Sequence, residues 1–278
     1  LLLVVVHQGL TILYLVPITV YHQMNGVSGE QLEQIIYAQG VNAVIFSGIG
    51  SLFIFSLIFK GRKRNLIERS RFNPITKEQI LWSTLIGLSF VFLSLLIVNL
   101  LASLFPALYD SYLKQMEVLA DASVFTVIIA VVIVAPLFEE IMFRGVIFDS
   151  MYKKAPTVVA VIIAGVLFGA YHMNIFQGAY ATLIGVVMGF SLVWTKSIWA
   201  PILIHFFNNL FSIILSYTVL GVWLEQNDTA AVILSIAIAL TLLPLGIYKL
   251  YKTKVEEIIE PIIEPTDGIF DETIMMES

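Results

Sequence analysis

A few polar side chains stand in long apolar stretches of this sequence: His7, Glu139, Glu140, Arg144, His172, His205, Asn208 and Asn209. Their spacing groups them. Glu140 and Arg144 are four residues apart, so on a helix they share a face and can pair. Phe168 and His172 have the same spacing, as do His205 and Asn209. Cleaving an amide where water is scarce requires an activated water and a donor for the oxyanion that develops on the carbonyl. A Glu beside a His can hold and deprotonate a water, while a second His and an Asn can donate to the oxygen. Two adjacent carboxylates can divide the work, with Glu139 as the base and Glu140 paired to Arg144. A charge at the centre of a bilayer costs on the order of 3 kcal/mol or more, so groups placed there need partners and a task.

The elements that must position them are read from composition. The chain has 278 residues, 59% hydrophobic and only 13% charged, which leaves a lipid bilayer as the plausible solvent. Apolar runs long enough to span the hydrocarbon fall near 1–21, 42–59, 80–105, 123–150, 156–173, 177–195, 198–220 and 229–251. The expected fold is all-α: a polytopic bundle of about eight transmembrane helices. Residues 1–21 read as a helix rather than a signal peptide, since no basic leader or small-residue cleavage pattern is visible. The fourth run meets Pro136, which can kink or restart a helix.

Basic residues accumulate in cytoplasmic loops. Lys60, Arg62, Lys63, Arg64, Arg69, Arg71 and Lys77 share one connection. Lys153, Lys154, Lys196, Lys249, Lys252 and Lys254 lie at ends that eight spans put on the same side. The expectation is a multi-pass protein of the cell membrane with both termini cytoplasmic. The connection 60–78 has room for a short surface helix.

Folding the spans as antiparallel hairpins tests the polar groups for depth. From a turn near Lys154, Glu139 and His172 lie about 22 and 27 Å along their helices. From a turn near Lys196, His205 and Asn209 lie about 13 and 20 Å in. Three helices would bring these groups to a common band in the cytoplasmic half of the bilayer. That arrangement suits a buried hydrolytic site.

Other chemistries are absent or misplaced. The sequence has no His-Glu-x-x-His zinc motif, no Gly-x-Gly-Asp and no cysteine. Gly26-Val27-Ser28-Gly29 superficially matches a serine-protease motif, but it falls in a polar connection between spans. The net charge of -5 does not suggest a nucleic-acid partner. His7, alone among aliphatic residues, reads as structural or interfacial. Asn208 faces about 100° away from Asn209 around a helix and is left out of the site. The glycines at 165, 169, 185 and 189 read as close-packing surfaces. The membrane domain is expected over 1–254, followed by an acidic, disordered cytoplasmic tail over 255–278 that carries Pro261 and Pro265.

Glu139-Glu140-Ile141-Met142-Phe143-Arg144 matches Glu-Glu-x-x-x-Arg, Phe168 to His172 matches Phe-x-x-x-His, and His205 to Asn209 matches His-x-x-x-Asn. Together these motifs resemble the CPBP family, the CAAX-protease and bacteriocin-processing enzymes also called Abi or Rce1-like glutamate intramembrane proteases. The resemblance covers roughly 80–220. It implies an intramembrane endopeptidase acting on membrane-associated peptides or proteins, with Glu139 and His172 binding the catalytic water. It further implies that His205 and Asn209 form the oxyanion site, supported by Glu140 and Arg144. Glu139, His172 and His205 would also make a His₂Glu set for a divalent metal such as zinc, although a Glu-activated water needs no ion. The alternatives are a non-catalytic membrane scaffold that regulates a sensor kinase or envelope enzyme, and a proton-coupled transporter. Substrate identity and oligomeric state are not legible.

Overall fold

The computed structural model describes residues 2–256, apart from the side chains of 115, 117–121 and 225. From residue 257 the expected acidic tail lies outside the described residues. Among the described residues all regular structure is helical: α1 (Leu2–Met24), α2 (Gly29–Phe59), α3 (Leu66–Ser70), α4 (Lys77–Leu104), α5 (Pro106–Asp121), α6 (Val124–Tyr152), α7 (Thr157–Tyr171), α8 (Ile175–Thr195), α9 (Trp199–Ser216), α10 (Val219–Gln226) and α11 (Asp228–Lys252).

Each of the eight expected spans is a helix. Seven are long and apolar enough to cross a bilayer, and the eighth, α7, is apolar but shorter. The protein is therefore a multi-pass membrane bundle. Helix α2 begins at Gly29, well before the expected 42, because Glu30, Glu33 and Gln39 dilute the hydropathy of a stretch that is still helical. The connection 60–78 does hold a short helix, α3. Its start is fixed by a capping box in which Asn65 accepts from the Glu68 amide and Glu68 accepts from the Asn65 amide.

Helix α4 is the central post, packed along α9 and α11. Gly87 allows its contact with α9, since a Cβ there would run into the Ile204 carbonyl. α7 and α8 form the closest pair. A Cβ on Gly169 would overlap the Thr182 hydroxyl and the Gly178 carbonyl, and one on Gly165 would meet Val186. The small residues are packing surfaces, as helices in lipid require.

Helix α6 carries the two adjacent carboxylates and is continuous through Pro136. It alternates register: Ile128–Val134 and Ile141–Phe148 are π-helical, and Ala135–Glu140 between them is α-helical. Widened turns of this kind are rare and leave backbone groups to be satisfied from outside the helix.

Candidate active site

The geometry begins at Arg144, which is almost wholly buried. Its Nη1 donates to Glu140 Oε1 at 3.1 Å, its Nε lies 3.1 Å from Glu140 Oε2, and its Nη2 donates to the Gly185 carbonyl at 2.8 Å. The guanidinium also lies over the Phe168 ring, 4.6 Å from the centroid. A buried ion pair needs further hydrogen bonds to offset desolvation, and the Gly185 carbonyl of α8 supplies one here.

His205, from α9, donates Nδ1–H to Glu140 Oε1 at 3.0 Å. Glu140 is thereby engaged on both sides, by Arg144 and by His205. The opposite ring nitrogen of His205, Nε2, faces Glu139 Oε2 at 3.9 Å. That oxygen is buried and receives no hydrogen bond from the protein. The two carboxylates of one helix thus differ in their pairing: Glu140 forms an ion pair with Arg144 and accepts from it and from His205 at Oε1, whereas Glu139 Oε2 has, among the described residues, only His205 Nε2 at 3.9 Å.

His172 is the residue after the last turn of α7. Its Nδ1 lies 2.8 Å from the Phe168 carbonyl, and a carbonyl only accepts, so Nδ1 carries the proton. In the neutral ring Nε2 is therefore a lone pair. His172 is also near enough to Glu139 to interact with it electrostatically. Phe168 is the hub of the cluster. Its face meets Arg144, and its ring makes edge contacts with Phe143, His172 and His205.

Asn209 sits one turn beyond His205 on α9, and its amide donates to the Val131 carbonyl at 2.8 Å. The reason lies in α6. In the π-helical register Ala135 N–H bonds Ala130 O, so the next amide would serve Val131, and that residue is Pro136. Proline has no N–H to give. Asn209 satisfies the carbonyl that Pro136 leaves open and keeps a second amide hydrogen. Its Oδ1 accepts from Asn208 Nδ2 at 3.2 Å.

Glu139, Glu140, Arg144, His172 and His205 gather where α6, α7 and α9 meet, and Asn209 lies one turn further along α9 at the Val131 carbonyl. Glu139 and His205 face each other, but no three His, Asp or Glu side chains among the described residues have the geometry to hold a metal ion.

Spacing alone missed three neighbours. Asn208, left out because it faces another direction, bonds Asn209 directly. Tyr171 precedes His172 and bonds His7, which belongs to this neighbourhood and does not stand alone among aliphatics. The sequence signal for His7 was its type, since a histidine in an apolar span is rare unless something across the bundle meets it.

Residues 121–211 match the family model described as Type II CAAX prenyl endopeptidase Rce1-like, within the expected 80–220. The chain is 29% identical over 201 residues to "Putative membrane peptidase YdiL" of Bacillus subtilis, covering 71% of this chain and 80% of that relative. It is 37% identical over 89 residues to "Membrane-embedded CAAX protease MroQ" of Staphylococcus aureus, covering 30% of this chain and 36% of that relative. No solved structure matches the chain. Helices, motifs and relatives agree: residues 121–211 are similar to the Rce1-like family model, and the chain is a membrane protease.

Proposed function

We propose that this membrane protease hydrolyses peptide bonds of membrane-associated peptides or proteins with a water activated by Glu139. One observation carries the reading: Glu139 Oε2 is buried with no donor from the protein and 3.9 Å from His205 Nε2, while Glu140 is held by the Arg144 guanidinium and by His205 Nδ1–H. A water held between Glu139 and His172 Nε2 gives its proton to the Glu139 carboxylate as its oxygen attacks the carbonyl carbon. The carbonyl π bond opens to an oxyanion. Asn209 offers its second amide hydrogen to that oxygen. His205, with Nδ1–H committed to Glu140, donates from Nε2 when its ring is doubly protonated, and the Glu140 carboxylate balances that charge. Collapse of the intermediate breaks the C–N bond, and Glu139 returns its proton to the departing amine. The products are a carboxylate and an amine, and no step passes through a metal.

The excess of basic residues in 60–78 and at the matching helix ends supports an orientation with both termini cytoplasmic. On that reading substrates reach the site from the cytoplasmic half of the bilayer.

The test is cleavage of a membrane-peptide library, including peptides ending in a farnesylated cysteine, by purified full-length protein, with products read by mass spectrometry. Wild type should give product, Glu139→Gln none, and a chelator should change neither. Product from Glu139→Gln would overturn the role of Glu139. Loss of activity in chelator, restored by zinc, would overturn the metal-free route.

A further inference from the structure

The first helix lies wholly outside 121–211, yet one of its side chains reaches the candidate site. His7 is buried in a run of aliphatic residues and makes three contacts that together fix its ring. Ser47 Oγ on α2 donates to the Ala43 carbonyl at 2.7 Å, so its single proton is committed. Ser47 therefore accepts at its 3.0 Å contact with His7 Nε2, and that nitrogen carries the ring proton. Nδ1 of the neutral ring is then a lone pair, and it takes the Tyr171 hydroxyl proton at 2.7 Å. The direction of the whole relay follows: Tyr171 to His7, His7 to Ser47, Ser47 to the backbone of α2.

The same imidazole stacks on Phe138, with ring centroids 4.4 Å apart and planes 17° from parallel. Phe138 immediately precedes Glu139, and Tyr171 immediately precedes His172. Both are places where the backbone alone holds a side chain loosely. Glu139 sits on a short α-helical segment between two π-helical ones. His172 follows the last turn of α7, its amide reaching back only to Gly169, and Met173 after it has left the right-handed region at φ 51°. Helix ends lack part of their hydrogen bonding and fray first.

We propose that His7 is a positioning residue for the peptidase site, clamping Phe138 by stacking and Tyr171 by hydrogen bonding so that Glu139 and His172 keep their mutual placement. α1 is thus a working wall of the site and not only a membrane anchor. The inference rests on the reading that Glu139 and His172 hold the water.

Two substitutions divide the clamp. His7→Phe keeps a ring for Phe138 and removes the acceptor for Tyr171. His7→Asn sets an amide oxygen near the Nδ1 position and removes the stack. Kinetics are measured on the full-length protein with a peptide that wild type cleaves and Glu139→Gln spares. His7→Phe should lower kcat by about tenfold to a hundredfold with little change in KM, since small misplacements at a reacting centre cost on that scale. Tyr171→Phe should fall equally, the double variant no further than either single, and His7→Asn should recover part of the loss. A purely structural His7 would lower the melting temperature and leave kcat of the folded protein at the wild-type value, which overturns the proposal. Substrate-free ¹⁵N-histidine spectra give a second reading. The His7 signal should show a protonated Nε2 and a bare Nδ1 that shifts in Tyr171→Phe, and a protonated Nδ1 would overturn the relay. Absence of any wild-type product would overturn the peptidase reading itself, whereas wild-type kcat in His7→Phe overturns this inference alone.

Discussion

Helix α6 bears two buried carboxylates that meet cations, Glu140 and Asp149, nine residues apart, and their surroundings differ sharply. Glu140 lies among α6, α8 and α9, with one arginine and one histidine for partners, and Arg144 is itself buried. Asp149 lies about 13 Å further along the helix. Its carboxylate is as buried as Glu140, but four cations converge on it: Arg64 at 2.8 Å, Arg69 at 3.2 Å, Arg71 at 3.5 Å and Lys153 at 3.3 Å. Those cations keep contact with the surroundings, from 19% exposed for Arg69 and Arg71 to 48% for Lys153. Arg69 and Arg71 also rest on the rings of Phe59 and Tyr152.

The difference is one of solvent. Deep in the bundle a surplus charge has no water to stabilise it, so carboxylate and guanidinium are matched one to one. At the end of the helix the excess positive charge can be hydrated or meet lipid headgroups, and one carboxylate serves as the common anchor for a basic connection. Glu139 departs from that matching, a second buried carboxylate beside a single guanidinium that is paired with Glu140.

The contrast can be broken at its deep end first. Glu139→Gln keeps shape and removes the base, and peptide cleavage should fall below detection, a loss of about 10⁴, the upper end for general-base removal. Circular dichroism should show the fold unchanged. Arg144→Met leaves Glu140 buried with His205 as its one remaining partner and should cost about 3–5 kcal/mol in chemical denaturation. Arg144→Lys should recover little of that, because a single ammonium cannot meet Glu140 and the Gly185 carbonyl together. At the shallow end Asp149→Asn should cost less, about 1–2 kcal/mol, and should leave the protein cleaving peptide while α3 becomes prone to proteolysis. Raising salt to 1 M should lower the melting temperature gained from the Asp149 cluster and leave the Arg144 contribution nearly unchanged, since only the exposed cations are screened. The smallest effect concerns Pro136. Pro136→Ala restores an amide for the Val131 carbonyl, so the stability cost of Asn209→Ala should shrink by about 1 kcal/mol in that background, measured by a double-mutant cycle.

The bundle was legible because hydropathy reports each span directly, and the four-residue spacings named the partners that α6 and α9 supply. What sequence did not carry was anything set by tertiary register. Neither π-helical segment has a residue signature: Ile128–Val134 is wholly apolar, and Ile141–Phe148 is apolar apart from Arg144. Helix α5 fell in an expected connection, since Asp110 and Lys114 lower the hydropathy of its sequence. α9 ends at Ser216, before the expected 220, where Tyr217 and Thr218 turn the chain into α10. His7 was seen, but its partners Ser47, Phe138 and Tyr171 lie across the bundle, on residues that no motif position marks.

Helix α7 has 15 residues and reaches about 22 Å, against about 30 Å of hydrocarbon in an ordinary bilayer. A segment that short draws the lipid surfaces toward one another or pulls polar groups inward. His172 stands at its end. The shortest route for water into the membrane therefore opens beside the residue assigned to hold one. Lipid thickness becomes a variable of the enzyme: long-chain lipids lengthen that route and short-chain lipids shorten it.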